Sequence, residues 1–130
     1  MSDAILKSFQ QPDLEKRLAT FSADGADKLD FGVIGFDNEI LVQVYNEFES
    51  KASGLSPHRV LGLPLFTVVA PCMNNYLVAQ RFEDALESGV ALDETIAYVL
   101  TLRMRPVKVS LRLIATPGAA MRYLIVDRPS

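Results

Sequence analysis

"VKVSLRLIATPGAAMRYLIVDR", residues 107–128, decides the fold. It consists of two extended runs, 107–116 and 121–128, rich in β-branched and large apolar residues and parted by the turn residues of "PGA". Upstream, "DETIAYVLTLRMR" (93–105) is a third such run, cut from the second by Pro106. Further out, "NNYLVAQRFEDALESG" (74–89) sets Tyr76, Leu77, Ala79, Phe82, Ala85 and Leu86 near a helical repeat, with Gly89 as the stop, and predicts one long helix. From Asn46 to Gly62 the pattern breaks into short helical pieces; in "SPHRVLG", Ser56 is the expected N-cap, Pro57 the first helical residue and Gly62 the terminator. "LDFGVIGF" (29–36) and "ILVQVY" (40–45) flank the turn "DNE" and predict a hairpin. "PDLEKRLATF" (12–21) carries Leu14, Leu18 and Phe21 on one face of a short amphipathic helix that "SADGADK" ends.

Two strands, a helical middle, a long helix and three strands predict an α+β domain: a central antiparallel five-stranded sheet with helical segments on one side. The chain has 130 residues, nearly half of them apolar, enough for one compact domain with its own core. The formal charge is -3 with both signs intermixed and no Lys/Arg block, which argues against nucleic acid as a partner. The opening "MSDAILKSFQQPDLEKR" lacks the pattern of a secretory signal, and no apolar run approaches the ~20 residues needed to span a bilayer. A soluble, cytoplasmic protein with no membrane partner is expected. One cysteine excludes an intramolecular disulfide, and one Cys with one His (His58) is too few soft ligands for a structural zinc, so no metal site is expected.

The single cysteine stands in "FTVVAPCMNNY" (66–76). Taken alone, a cysteine on an apolar run is an ordinary small hydrophobe. Its surroundings point elsewhere. Reading backwards from "VVAPC" the chain has "VLGLPLF", "SGLSP" and "VYNEFES", and onward it has "YLVAQRFEDALESG" and "AYVLTLRMRPVKVSL". In order and spacing these segments resemble the photoactive yellow protein family, over most of the chain from about Phe31 onward. The order of elements is also that of PAS sensor domains, which cradle a ligand between sheet and helices. The resemblance divides the chain into an N-terminal cap with its short helix (1–28) and a PAS-like chromophore-binding domain (29–130).

The resemblance implies a blue-light receptor, not an enzyme, carrying p-coumaric acid (4-hydroxycinnamic acid) as a thioester on Cys72. Tyr45 and Glu49 match the residues that hydrogen-bond the phenolate, and Ser53 stands where a threonine orients the tyrosine. Val69, Ala70 and Pro71 match the wall beside the thioester, and Tyr98 and Met104 match pocket positions. By the same resemblance, light isomerises the double bond and the proton of Glu49 moves to the phenolate, leaving a buried carboxylate that loosens packing and creates a signalling state for a downstream signalling protein. A monomer or weak homodimer is expected.

Two positions depart from the family. Leu55 replaces an arginine that covers the chromophore ring, and Leu100 replaces a pocket phenylalanine. Leucine covers a ring but supplies neither charge nor hydrogen bonds; Lys51 and Arg59 lie nearby in sequence as candidates to compensate. Three other readings stay open on the residues alone. One is a chromophore-free PAS-like domain that binds a different ligand or a protein. Another is an enzyme with Cys72 as nucleophile and His58 as base, and the last a haem sensor with His58 as axial ligand.

Overall fold

The computed structural model describes residues 31–101 and 106–128. Five strands form one antiparallel sheet: β1 (Gly32–Phe36), β2 (Val42–Tyr45), β3 (Leu92–Leu100), β4 (Val107–Ala115) and β5 (Arg122–Asp127), in the spatial order β2-β1-β5-β4-β3. The hairpin and the three-stranded meander both occur as the sequence predicts. The first and last strands pair at the centre, Gly32 opposite Val126 and Ile34 opposite Leu124. β5 is consequently buried on both faces. Leu124 and Val126 enter the main core, while Tyr123 and Ile125 join Phe31, Val33 and Ile114 in a second apolar cluster. A strand covered on both sides needs apolar residues at successive positions, which is why "RYLIVD" shows no polar alternation.

Three helices connect β2 to β3: α1 (Glu47–Ser53), α2 (Pro57–Val60) and α3 (Ala79–Ser88). Between α2 and α3 lie a π-helical turn (Leu65–Val69) and a 3₁₀ turn (Pro71–Met73). The core locks these pieces together through aromatic edges. Phe36 of β1 meets Phe82 of α3 edge-on at 4.9 Å between ring centroids, and Phe66 of the π turn at 5.8 Å. The guanidinium of the buried Arg122 sits 4.8 Å from the Phe36 ring centre and donates to the Asp37 carbonyl at 2.9 Å, tying the β1–β2 turn to β5.

Two boundaries differ from the sequence reading, each for a local reason. The long helix begins at Ala79 rather than near Asn74, because the Asn75 side-chain oxygen accepts from the backbone N–H groups of Leu77 and Val78 and holds a turn there. Gly89 ends the helix as expected, with φ of 69°. The second hairpin strand begins at Val42, because Ile40 takes a left-handed φ of 65° and the Asp37 carboxylate, accepting from Leu41 and Glu39, closes the turn. Those backbone bonds, Leu41 foremost, hold the Asp37 carboxyl below its ordinary range. Ser56 and Pro57 open α2 as predicted, although the Ser56 side chain makes no capping bond. The N-terminal cap, with Leu14, Leu18 and Phe21, and the end of the 93–105 run, with Met104, lie outside the described residues.

One side chain fixes how the helical segment leaves the sheet. Asn46, 1% exposed, accepts from Val33 N at 2.9 Å and from Glu49 N at 3.2 Å, and its amide donates to the Phe31 carbonyl at 2.9 Å. It is at once the N-cap of α1 and a stitch to β1. Replacing it by alanine strands two buried N–H groups and a carbonyl, so Asn46→Ala is expected to cost about 2–4 kcal/mol in denaturant unfolding. A loss below about 0.5 kcal/mol would contradict this role.

Candidate functional site

The elements that carry the motif residues converge beside the cysteine. Cys72 is the middle residue of the 3₁₀ turn that Pro71 starts, directly after the π turn. So short a turn leaves the Cys72 carbonyl without a helical partner, and side chains supply one. Tyr98 Oη, reaching in from β3, donates to it at 2.6 Å, and Asn75 Nδ2 at 3.3 Å. Asn75 also donates to Tyr98 Oη at 2.7 Å, closing a triangle that fixes the backbone on which the half-buried Cys72 side chain stands.

Cys72 opens onto a cleft of about 710 Å³. Ser53, Leu55, Val69 and Pro71 share it with Val68 and Thr101. The volume lies within the roughly 300–1,000 Å³ of small-molecule sites. The walls are mainly apolar, with Ser53, Thr101 and the Cys72 thiol as the polar or reactive residues. Those features suit a small, mainly apolar ligand. Ala70 and Leu100 are buried in the core behind the cleft. Tyr98 acts through the Cys72 backbone, and its surroundings include a separate surface hollow with Leu77 and Lys108.

Tyr45 ends β2 and meets Ser53 across α1: a hydrogen bond of 2.7 Å joins Tyr45 Oη and Ser53 Oγ, and Ser53 Oγ also accepts from Leu55 N at 3.2 Å. Burial pushes the Tyr45 phenol up to about 12, with the nearby Glu49 adding to the rise and Ser53 and Arg128 opposing it. Glu49, one turn before Ser53, is 1% exposed. It does not line the cleft. Its carboxylate accepts from Arg128 Nη1 at 2.6 Å and Nη2 at 3.0 Å, a two-pronged pair at the end of β5. Burial pushes the Glu49 carboxyl above its ordinary range, and Arg128 opposes that only in part.

Neither cation near Leu55 in sequence compensates for the missing arginine. Lys51 pairs with Glu47 on the exposed face of α1, and Arg59 is exposed and does not line the cleft. His58 is exposed on α2, also off the cleft. The residues that sequence reasoning missed are Arg128, Asn46 and Asn75. "NEFE" (46–49) has the N-x-x-E spacing of a helix start and signals Asn46; nothing local signals Arg128, which lies 79 positions from Glu49. Among the described residues no group of three His, Cys, Asp or Glu is placed to hold a metal, and no helix is long and apolar enough to cross a membrane.

The tyrosine carries a pH signature. An unfolded tyrosine loses its proton near pH ~10, whereas folded Tyr45 keeps its own to about 12, so its contribution to stability is complete below the first value and lost through the second. The unfolding free energy is therefore expected to fall more steeply over this window in the wild type than in Tyr45→Phe. Parallel curves would contradict it.

No family model matches the chain. The photoactive yellow protein of Rhodothalassium salexigens is 31% identical over 105 residues, covering 81% of this chain and 83% of that protein. That of Halochromatium salexigens is 32% identical over the same shares. Among solved structures, the photoactive yellow protein domain of the sensor histidine kinase Ppr from Rhodospirillum centenum matches with a TM-score of 0.80 at 32% identity, over 87% of this chain and 98% of that one. The PAS domain of the quorum-sensing receptor RpfR from Cronobacter turicensis, solved with BDSF, covers 79% of this chain and 97% of its own at a TM-score of 0.61 and 12% identity, and shares the fold alone.

Proposed function

The chain belongs to the photoactive yellow protein family of PAS-type photoreceptors, and from that premise we propose that it is a blue-light receptor whose chromophore is p-coumaric acid, held as a thioester on Cys72. The observation that carries this reading is the cleft that joins Cys72 to Ser53 and, through Ser53, to Tyr45. When bound, the chromophore supplies a double bond that light isomerises and a phenolic oxygen that gains or loses a proton.

The chain's own residues do the rest. Cys72 Sγ anchors one end, a thiolate being a good acyl acceptor. Tyr98 and Asn75 hold the backbone of Cys72 still, so the anchor does not swing with the ligand. Tyr45, kept protonated by burial, is a hydrogen-bond donor to a phenolate, and Ser53 orients its hydroxyl. Leu55, Val68 and Val69 exclude water from the ring, which strengthens each remaining polar contact. With a chromophore in place, Glu49 would hold a proton on its carboxyl oxygen and give it up after illumination; burial, which pushes this carboxyl above its ordinary range, works in favour of the protonated form, and Arg128 works against it. To reach the phenolic oxygen, Glu49 has to leave Arg128. Met104 is assigned to the pocket on family grounds, and Leu100 supports the cleft from the core. The output passes to a signalling protein, in keeping with the kinase to which the Rhodospirillum centenum domain belongs. A monomer or weak homodimer working in the cytoplasm completes the reading.

A chromophore-free PAS-like module is the second reading, and the observation that favours it is Leu55, which puts no charge on the cleft. Mixing the purified protein in the dark with an activated p-coumaric acid, then recording intact mass and absorption before and after blue light, separates the two. The expected result is a yellow adduct on Cys72 that bleaches and recovers, with no adduct in Cys72→Ala. Folded protein that takes up no chromophore, or an adduct indifferent to light, would favour the chromophore-free module.

A further inference from the structure

The proposed function gives Glu49 two partners, the ligand's phenolic oxygen and Arg128, and the structure holds it on the second. Resting on the reading above, we propose that Arg128 is a positioning residue that captures the Glu49 carboxylate once its proton has left, so that the light-driven state is held by an ion pair rather than by an isolated buried charge.

Three features build this second seat. The guanidinium meets both carboxylate oxygens, a geometry suited to the ionised form, because a neutral carboxyl presents one O–H and loses one of the two bonds. The pair is shielded, its side chains 1% and 14% exposed, so water weakens it little. The third feature is Gly32, which lies on β1 opposite Val126, two residues before Arg128. A Cβ at Gly32 would collide with Glu49 Oε1, so only glycine leaves room for the carboxylate to lie over β1 and reach the end of β5. Among the described residues Arg128 is the titratable group that acts on Glu49; Tyr45, which Glu49 pushes upward, is neutral well above physiological pH.

In the bound protein the proton would leave the Glu49 carboxyl oxygen for the phenolate oxygen, and the negative charge would move to Glu49. Arg128 stays charged throughout. With Arg128 present, return of the proton competes with two charge-assisted bonds. Without it, the carboxylate is buried with no cation and recaptures its proton sooner. The lifetime of the light-driven state is therefore written into Arg128 and Gly32, neither of which lines the cleft.

The test uses Arg128→Gln, Arg128→Lys and Gly32→Ala beside the wild type, with two readings. In protein never given chromophore, carboxyl carbon NMR follows the Glu49 titration, assigned with Glu49→Gln. Removing the cation in Arg128→Gln is expected to raise its midpoint by about one unit or more, and Arg128→Lys to restore much of the difference. In protein coupled to p-coumaric acid, Arg128→Gln and Gly32→Ala are expected to shorten the bleached state about tenfold or more, with Arg128→Lys between them and the wild type. An unmoved Glu49 titration, or a bleached state within about twofold of the wild type in coupled Arg128→Gln, overturns the proposal alone. Failure of the wild type to couple overturns it together with the photoreceptor reading.

Discussion

A carboxylate shut away from water must meet a proton or a cation, because an unpaired buried charge costs several kcal/mol. Glu49 is such a group, and much of the described structure answers to it. Asn46 starts the helix that carries Glu49 and pins that helix to β1. Gly32 clears the space beside its oxygens, and the pairing of the first and last strands brings Arg128 within reach. Three elements distant in the chain are thereby committed to one side chain. Such a group is poised between two states, since burial favours the proton and Arg128 favours the charge. That balance is the physical requirement for a site that moves a proton and reports the move through its packing.

Helix α1 carries residues of both the cysteine cleft and the Glu49 pair. Ser53 lies one helical turn after Glu49, lines the cleft and bonds Tyr45. The turns beside the cleft are tied down by side chains. A π turn and a 3₁₀ turn in succession present Cys72, and Tyr98 from the edge strand β3 satisfies its carbonyl. Leu55 leaves the cleft without a charged side chain, while Glu49 finds its cation in Arg128, 79 positions along the chain.

Much of this was legible in the sequence, and the divisions follow physical range. Strands announced themselves because turn residues such as those of "PGA" punctuate runs of apolar residues, and all five occur. Helix limits were less legible. Asn75 opens with a side-chain turn what helical periodicity would extend backwards, and periodicity does not register a side chain bonding its own backbone. Ser53, Leu55, Val69, Pro71 and Cys72, singled out through family motifs, line one cleft. Arg128 was not readable, because its meeting with Glu49 depends on the register of β1 against β5, and a glycine at position 32 gives no sign of which atom needs its missing Cβ. Lys51 and Arg59 were nearer in sequence, but α1 and α2 turn both towards solvent.

The most direct measurement is a crystal structure of the protein in the dark after treatment with activated p-coumaric acid. The account predicts continuous density from Cys72 Sγ into the cleft, with the phenolic oxygen within hydrogen-bond reach of Tyr45 Oη and of a Glu49 oxygen that has left Arg128. A bare Cys72, or a bound ligand whose phenolic oxygen lies elsewhere while Glu49 stays on Arg128, would contradict it.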